Sequence, residues 1–364
     1  MRKHYIDNLR WITVAVVVLY HVIYIFNNLQ PFGVIGGFYE NQWWDHFQTL
    51  CYPWFMLLLF AVAGMSARFS LERRTAKEFA KSRTDKLFVP ASLGLLMFHW
   101  ITGWVNMAIS NAFKDMANVP VVVRYLIQCV SGIGVLWFLQ VLWILSLLLL
   151  LVRKLENDRL WTLCVKLPVW VLPLLCIPLW GAAQILTTPM ISVYRFGIYG
   201  LGFLIGYFIL SHDEIMDKLE KLWLPLAIAG TGLGIAEVIV YQWQNYAEAP
   251  VRDSVLSIVY AWTASLAMLA GCKRFLNFRN SFTTWMSKKS WAIYIFHYTT
   301  LAYAAYFMKG TGIPAAVQYL LCTTAAFGGA ILLGEIISRI PVVRFWVLGI
   351  RGQKKTKEAI HVQG

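Results

Sequence analysis

Four side chains near the amino terminus have the types and spacing that acid–base chemistry inside a membrane would use. Asp7, Arg10, His21 and Tyr24 lie within one apolar run, DNLRWITVAVVVLYHVIY. On a helix, Arg10 and His21 lie within about 20° of the same face and about 16 Å apart along the axis. An intramembrane histidine must face a polar cavity or a partner on another helix. His21 is therefore either a functional group or a structural link between helices.

Two other segments carry residues that could work with this helix. SRTDKLFVP holds Arg83 and Lys86 three residues apart, so both point the same way at the start of a helix. Two converging cations would hold a phosphate-bearing ligand, and ordinary positive charge at a membrane surface explains them equally well. In SWAIYIFHYTTL, His297 lies about 10 Å into its helix, one turn after Tyr294. Its depth is compatible with that of His21.

Aromatic and cysteine residues give weaker evidence for a functional site. Trp137, in LWFLQVLW, suits packing or lipid contact better than the wall of a binding pocket, and both interpretations stay open. The six cysteines occur singly, without CxxC spacing, so neither a zinc site nor a disulfide framework is predicted.

The elements that position these residues are membrane-spanning helices. Hydrophobic residues make up 59% of the chain and charged residues 14%, whereas soluble domains are about 25% charged. We predict an all-α polytopic membrane protein with about ten transmembrane helices. The apolar runs that predict them are 7–28, 49–68, 87–107, 133–152, 167–186, 195–210, 222–241, 254–271, 290–307 and 314–337. Three prolines in 167–186 predict a kinked or interrupted helix there.

The placement of basic residues predicts that both termini are cytoplasmic. With the amino terminus inside, the inner segments hold all but five of the 32 Lys and Arg, as the positive-inside rule requires. The net charge of +14 then reflects the orientation of the chain in the membrane. The predicted partner is the lipid bilayer, and no nucleic acid partner is predicted. We expect one transmembrane domain over 1–340 and a basic cytoplasmic tail over 341–364. The five outer exceptions are Lys114, Arg124, Arg195, Arg252 and Lys309.

Taken in order, these motifs resemble the acyltransferase type 3 family of multi-pass bacterial membrane proteins. The resemblance covers essentially the whole chain, and its most specific element is an arginine followed by ten residues and a histidine, met by Arg10 and His21. It implies ten core helices in the cell (inner) membrane and transfer of an acyl group to a hydroxyl of a carbohydrate or other cell-envelope acceptor. We expect no appended esterase-like domain, and in this respect the chain resembles the shorter, glucan-succinyltransferase-like branch of the family.

The resemblance also implies a role for each motif. His21 would be the general base, with Arg10 and Asp7 shaping the inner mouth of the site. Arg83 and Lys86 would bind the phosphates of acyl-CoA, of the acetyl or succinyl type, as co-substrate, with no permanently bound cofactor. Lys86 stands where the family usually has a second arginine, and lysine lacks the planar fork of a bidentate phosphate contact.

The remaining candidates are assigned to a substrate pocket around the general base. These residues are Tyr24, Trp137, Tyr294 and His297.

Two other classes of protein compete with this interpretation. A secondary transporter or flippase of a sugar-containing or lipid-linked substrate would also need ten helices, a broken span such as 167–186 and ionisable groups at the midplane. No matching pair of interrupted helices is visible in the two halves of the chain. A non-catalytic scaffold or sensor would not require Arg10 and His21 on one face. Dependence on acyl-CoA distinguishes the acyltransferase from both.

Overall fold

Helices make up nearly all of the regular structure. The computed structural model describes residues 3–27, 29, 42–116, 118–189 and 193–351, and the all-α class is confirmed. The helices of the first half are α1 (His4–Tyr24), α2 (His46–Leu71), α3 (Ala76–Arg83), α4 (Val89–Gly94), α5 (Trp100–Ile109), α6 (Val121–Ser131), α7 (Trp137–Glu156), α8 (Arg159–Cys164), α9 (Val171–Leu174) and α10 (Cys176–Ala183).

The second half begins with a short antiparallel hairpin in which Thr188 lies opposite Tyr194. Its strands and the helices that follow are β1 (Thr187–Pro189), β2 (Val193–Arg195), α11 (Phe196–Phe208), α12 (Asp213–Lys221), α13 (Trp223–Val240), α14 (Ala249–Arg252), α15 (Val255–Phe275), α16 (Ser281–Met308), α17 (Ala315–Thr324), α18 (Ala330–Arg339) and α19 (Pro341–Leu348).

Seven helical stretches of the described residues are long and apolar enough to cross a membrane, and an eighth is added if the bent pair α11 and α12 counts as one span. A multi-pass membrane protein is therefore confirmed, whereas ten spans and cytoplasmic termini stay predictions. The seven are His4–Tyr24, Trp43–Leu71, Ala76–Ile109, Gly134–Glu156, Trp223–Val240, Val255–Phe275 and Ala315–Arg339.

The helices follow the predicted apolar runs, with informative differences. The proline-rich run 167–186 is divided into α9 and α10, as its prolines indicated. The 28-residue α16 is not among the seven apolar stretches, because tyrosines, threonines and His297 lower its mean hydropathy. The connection 108–132, expected to be a polar loop, contains the helix α6.

Three π-helical segments interrupt two of the long stretches. Thr84–Phe88 and Leu95–His99 join α3, α4 and α5 into one stretch, and Ala325–Gly329 joins α17 to α18. A π turn is wider than an α turn and is found frequently at functional sites. Lys86 lies inside the first of these segments.

The helices α1 and α16 lie side by side and run in the same direction. Near their starts, the Asn8 amide donates to the carbonyls of Leu276 (2.7 Å) and Phe278 (2.9 Å), just before α16 begins. Further along, His21 contacts His297. We call the end of the bundle at which α1 and α16 begin the inner face, and the opposite end the outer face.

The described part of the predicted tail packs against the helical body at the inner face. The Trp291 indole donates to the Leu348 carbonyl at 3.0 Å, and a Cβ added to Gly94 would lie 2.7 Å from the Trp346 carbonyl oxygen. The helix α19 therefore belongs to the body of the fold. The rest of the tail, 352–364, lies outside the described residues.

Candidate functional site

Two histidines from the parallel helices α1 and α16 meet inside the bundle. Their ring centroids are 5.1 Å apart, and His297 Nε2 lies 3.3 Å from His21 Nδ1. His297 is fully buried, whereas His21 is partly exposed. The lipid-side neighbour Leu19 is two residues, or about 200°, away around the helix. The exposed part of His21 is therefore on the bundle side of α1.

The hydrogen bonds around the pair assign the tautomer of each ring. His297 Nδ1 lies 2.8 Å from the Tyr294 carbonyl, an acceptor, so this nitrogen carries the proton and Nε2 holds a lone pair. His21 Nδ1 lies 2.8 Å from the Val17 carbonyl, so it is also the protonated nitrogen and shares its proton with His297 Nε2. The lone pair of His21 is therefore on Nε2, which forms no hydrogen bond with any described residue.

Tyrosine rings surround His21 on its outer side. Tyr20, Tyr24 and Tyr298 pack against the imidazole with ring centroids 5.1, 6.1 and 5.5 Å away, each close to edge-on. The Tyr20 hydroxyl lies 3.1 Å from the hydroxyl of Tyr246, which comes from the connection after α13. Burial raises the pKa of Tyr246, so its phenol stays protonated and able to donate. The outer wall of the site is thus aromatic and rich in hydroxyl groups.

The other predicted pocket residues take different positions. The Tyr294 hydroxyl donates to the Val135 carbonyl at 2.7 Å, and its ring lies 6.1 Å from that of His297, so it supports the histidine pair from behind. Trp137 is partly buried at the start of α7, and its ring lies 5.5 Å from that of Tyr199. Among the described ring contacts of Trp137 there is none with His21.

Arg10 lies at the inner end of the same helix face. Its Nη2 donates to Ser66 Oγ on α2 at 2.8 Å, and its Nη1 lies 3.7 Å from Asp7 Oδ1. The Arg10 side chain is still 42% exposed, so a ligand entering from the inner face can reach it. Ser66 has no local sequence signal and was missed in the sequence.

Four cations converge at this inner mouth. Arg83 lies within electrostatic range of Arg10 and Arg74, and Lys86 within range of all three arginines. Neither Arg83 nor Lys86 forms an ion pair with any residue that the structure describes. The Arg83 guanidinium instead lies over the Phe79 ring, 4.9 Å from its centroid. Sequence reasoning did not single out Arg74, which looks like any other residue of a basic loop.

The nearby carboxylate Asp85 does not neutralise these cations. Arg351, beyond the end of α19, binds both of its oxygens at 2.6 and 2.7 Å. The π-helical segment also widens the turn between Arg83 and Lys86, so the two side chains diverge more than α-helical spacing predicts. Arg83 is partly buried and Lys86 is exposed. An excess of positive charge thus remains at the mouth, available to an anionic ligand.

The same chain was compared with known proteins. The acyltransferase domain of the acyltransferase 3 family matches residues 3–335. The chain therefore belongs to the acyltransferase 3 family and is a membrane acyltransferase. No curated protein and no solved structure matches it.

Proposed function

We propose that this protein transfers an acyl group from acyl-CoA to a hydroxyl of a carbohydrate or other cell-envelope acceptor, with His21 as general base. The observation that carries the proposal is the lone pair on His21 Nε2, which has no hydrogen-bond partner among the described residues while Nδ1 is held by Val17 and His297. A thioester is already an activated acyl group, so a positioned base and a binding site for the donor are the main requirements.

The reaction requires a base that accepts the proton of the acceptor hydroxyl and then donates it to the leaving thiolate. His21 Nε2 takes the proton of the acceptor hydroxyl as its oxygen attacks the thioester carbonyl carbon. The tetrahedral intermediate then collapses, the carbon–sulfur bond breaks, and the sulfur of coenzyme A leaves with the proton from His21. Among the described contacts of His21 there is no serine or cysteine side chain, which favours direct transfer over an acyl-enzyme. The rings of Tyr24 and Tyr298, which pack against His21, would form the wall of the pocket beside the developing oxyanion.

The cations of the inner mouth are the proposed site for the phosphates of the donor. Phosphate oxygens accept charge-assisted hydrogen bonds from guanidinium and ammonium groups, and Arg83 and Lys86 have no acidic partner among the described residues. Arg10 and His21 are about 16 Å apart along α1. The long pantetheine arm of coenzyme A would cover this distance and bring the thioester to His21. Asp7 would hold Arg10 in place at the mouth.

We also propose ten crossings with both termini on the cytoplasmic side. Asn8 contacts the segment just before α16, and Leu348 contacts Trp291 in the first half of α16, so both described ends of the chain lie toward the inner face. This arrangement requires an even number of crossings. The seven apolar stretches together with α11 and α16 give nine, and the broken pair α9 and α10 supplies the tenth. The localisation that fits is the cell (inner) membrane.

The first test is donor binding by the purified protein in detergent. Calorimetric titration with acetyl-CoA, succinyl-CoA and free coenzyme A should show saturable binding that weakens in Arg83→Ala. Absence of binding by a folded protein would contradict the donor and leave a transporter or flippase as the stronger candidate. Transport of a sugar-containing substrate without any acyl-CoA requirement would replace the proposal outright.

A further inference from the structure

An open cavity lies at the inner face, next to the inner mouth. It has a volume of about 430 Å³ and lies at the first turns of α16. A smaller cavity of about 150 Å³ adjoins it and shares three of its residues, Arg279, Thr284 and Lys288. The lining of the larger cavity consists of Arg279, Asn280, Ser281, Thr284, Trp285 and Lys288.

The charges that line the larger cavity are all positive. Arg279 Nε donates to Thr284 Oγ1 at 3.0 Å, which fixes the guanidinium and leaves its two terminal nitrogens available. Neither Arg279 nor Lys288 forms an ion pair with a residue that the structure describes. The smaller cavity contains one carboxylate, Asp7, and Arg10 lies 3.7 Å from it. The larger cavity is therefore suited to an anion.

Hydroxyl and amide groups complete the lining. Ser281 and Thr284 can each donate one hydrogen bond to an oxyanion, and they lie on the same face of α16 as Lys288. Two cations and two hydroxyls around one cavity match the oxygens of a phosphate group better than a single carboxylate, because a phosphate accepts hydrogen bonds from several directions.

Exposed aromatic side chains at the cavity rim indicate which kind of molecule carries that phosphate. Phe282 and Trp285 are 57% and 44% exposed, and their rings lie 6.5 Å apart. Trp11 packs edge-on against Phe282 at 5.7 Å. Aromatic rings concentrate at the headgroup level of a bilayer, so this trio marks the membrane interface beside the cavity. A basic pocket at that level on the cytoplasmic side is the usual setting for a lipid headgroup.

We propose that this cavity binds the phosphate headgroup of an anionic phospholipid, held by Arg279 and Lys288 with Ser281 and Thr284. The lipid would be a structural partner of the fold at the start of α16, the helix that carries His297. This site adjoins the inner mouth, since Asp7 of the smaller cavity lies 3.7 Å from Arg10, but the proposal does not depend on the chemistry assigned to His21.

The test compares lipid binding by the full chain with binding by two charge-matched variants. Phosphatidylglycerol and phosphatidylcholine with the same acyl chains are titrated into purified protein in nonionic detergent, with native mass spectrometry and the thermal unfolding midpoint as readouts. The test variant is Arg279→Gln/Lys288→Gln. The control is Lys154→Gln/Arg159→Gln, which removes two exposed cations from the α7–α8 turn.

We expect the test variant to bind phosphatidylglycerol about 25-fold more weakly, since each cation near a headgroup contributes about fivefold. The control variant should bind it as the unmodified protein does, and both variants should unfold at the unmodified temperature without added lipid. Equal affinity for phosphatidylglycerol and phosphatidylcholine, or unchanged phosphatidylglycerol binding by the test variant, would overturn the proposal.

A nucleotide phosphate is the competing source of the same chemistry. Adenosine 3′,5′-bisphosphate, which carries two of the three phosphates of coenzyme A and lacks its pantetheine arm, is therefore titrated in parallel. If this nucleotide bound and lost affinity in the test variant while phosphatidylglycerol binding stayed unchanged, the cavity would belong to the acyl donor and the lipid proposal would be wrong.

Discussion

The two ring nitrogens of His21 have different roles, and this difference predicts the effect of replacing the side chain. Nδ1 is held in place by Val17 and His297, whereas Nε2 is available to a substrate. Replacement His21→Gln should lower the rate of transfer about 100-fold or more, the usual loss for a general base. Acyl-CoA affinity should change little, because the cations proposed to bind the phosphates are at the other end of α1.

The measurement is a comparison of kcat with the calorimetric Kd of acyl-CoA, using protein whose thermal unfolding midpoint has been checked. Transfer within tenfold of the unmodified rate would show that the base is another residue. A large loss of donor affinity would show that His21 acts in binding.

At the inner mouth, we expect the affinity for acyl-CoA to depend on the shape of each cation as well as on its charge. Arg83→Ala should raise the KM for acyl-CoA about 10-fold or more with a smaller effect on kcat, since a hydrogen bond to a charged group contributes about 1.5–3 kcal/mol. Arg83→Lys should recover only part of the affinity, because lysine lacks the planar fork. Initial rates over a range of acyl-CoA concentrations provide the test.

Arg73→Ala is the matched control for these two variants. Arg73 is an exposed arginine of the α2–α3 turn, with no side-chain partner among the described residues. If this variant raised the KM as much as Arg83→Ala does, the effect would be general surface charge and not a phosphate site.

The sequence predicts some residues of the site well and others not at all. The spacing of Arg10 and His21 and the depth of His297 follow from helix geometry, and the structure brings the two histidines together. The salt bridge between Asp85 and Arg351 joins residues 266 positions apart, and no local pattern reports such a contact. Tyr298 directly follows His297, but only the packing of α16 against α1 shows that its ring faces His21.

At the scale of helices, close backbone contact between α2 and α11 holds the bundle together. A Cβ added to Gly64 would lie 1.9 Å from the Phe203 carbonyl oxygen, and one added to Gly206 would lie 1.9 Å from the Ala61 carbonyl oxygen. Small residues allow helices in a membrane to approach closely. Gly64→Ala must therefore push the two backbones apart.

We expect Gly64→Ala to reduce the free energy of unfolding by about 1–3 kcal/mol, the usual cost of overpacking. Gly232→Ala is the control, because a Cβ at that helical position has no atom within 4 Å, and alanine favours the helix. Unfolding of both variants in detergent, followed against denaturant, makes the comparison. Equal stability of the two variants would show that α2 and α11 can separate without loss.

Sequence patterns predicted the existence of the helices better than their internal geometry. Apolar runs located the spans because a bilayer of fixed thickness requires them. The π turns at Thr84–Phe88 and Leu95–His99 were not predicted, since a wide turn depends on how neighbouring helices pack and has no simple residue signature. The helix α6 was missed because its apolar run, within an 11-residue helix, is too short to indicate a membrane span.

For the molecule as a whole, the number of crossings is decided by parity. Residues near both described ends lie toward the inner face, so the geometry of α1, α16 and α19 favours the proposed even count. The choice between eight and ten depends on whether the α9–α10 pair and α11 both cross, since the loss of only one of them would give nine. Cysteine accessibility measures this directly.

Single cysteines placed at Lys154, Lys166, Ile185 and Gly312, all exposed, should react from opposite sides of a sealed, uniformly oriented membrane. We expect a membrane-impermeant maleimide to label positions 154 and 166 from the cytoplasmic side, and 185 and 312 from the other side. Five of the six native cysteines are buried, and the unmodified protein measures their background. Labelling of 166 and 185 from the same side would mean that α9 and α10 re-enter the face they left. Parity would then require that α11 does not cross either, which would leave the seven apolar stretches and α16 as eight crossings, with the hairpin β1–β2 on the same side as the inner mouth.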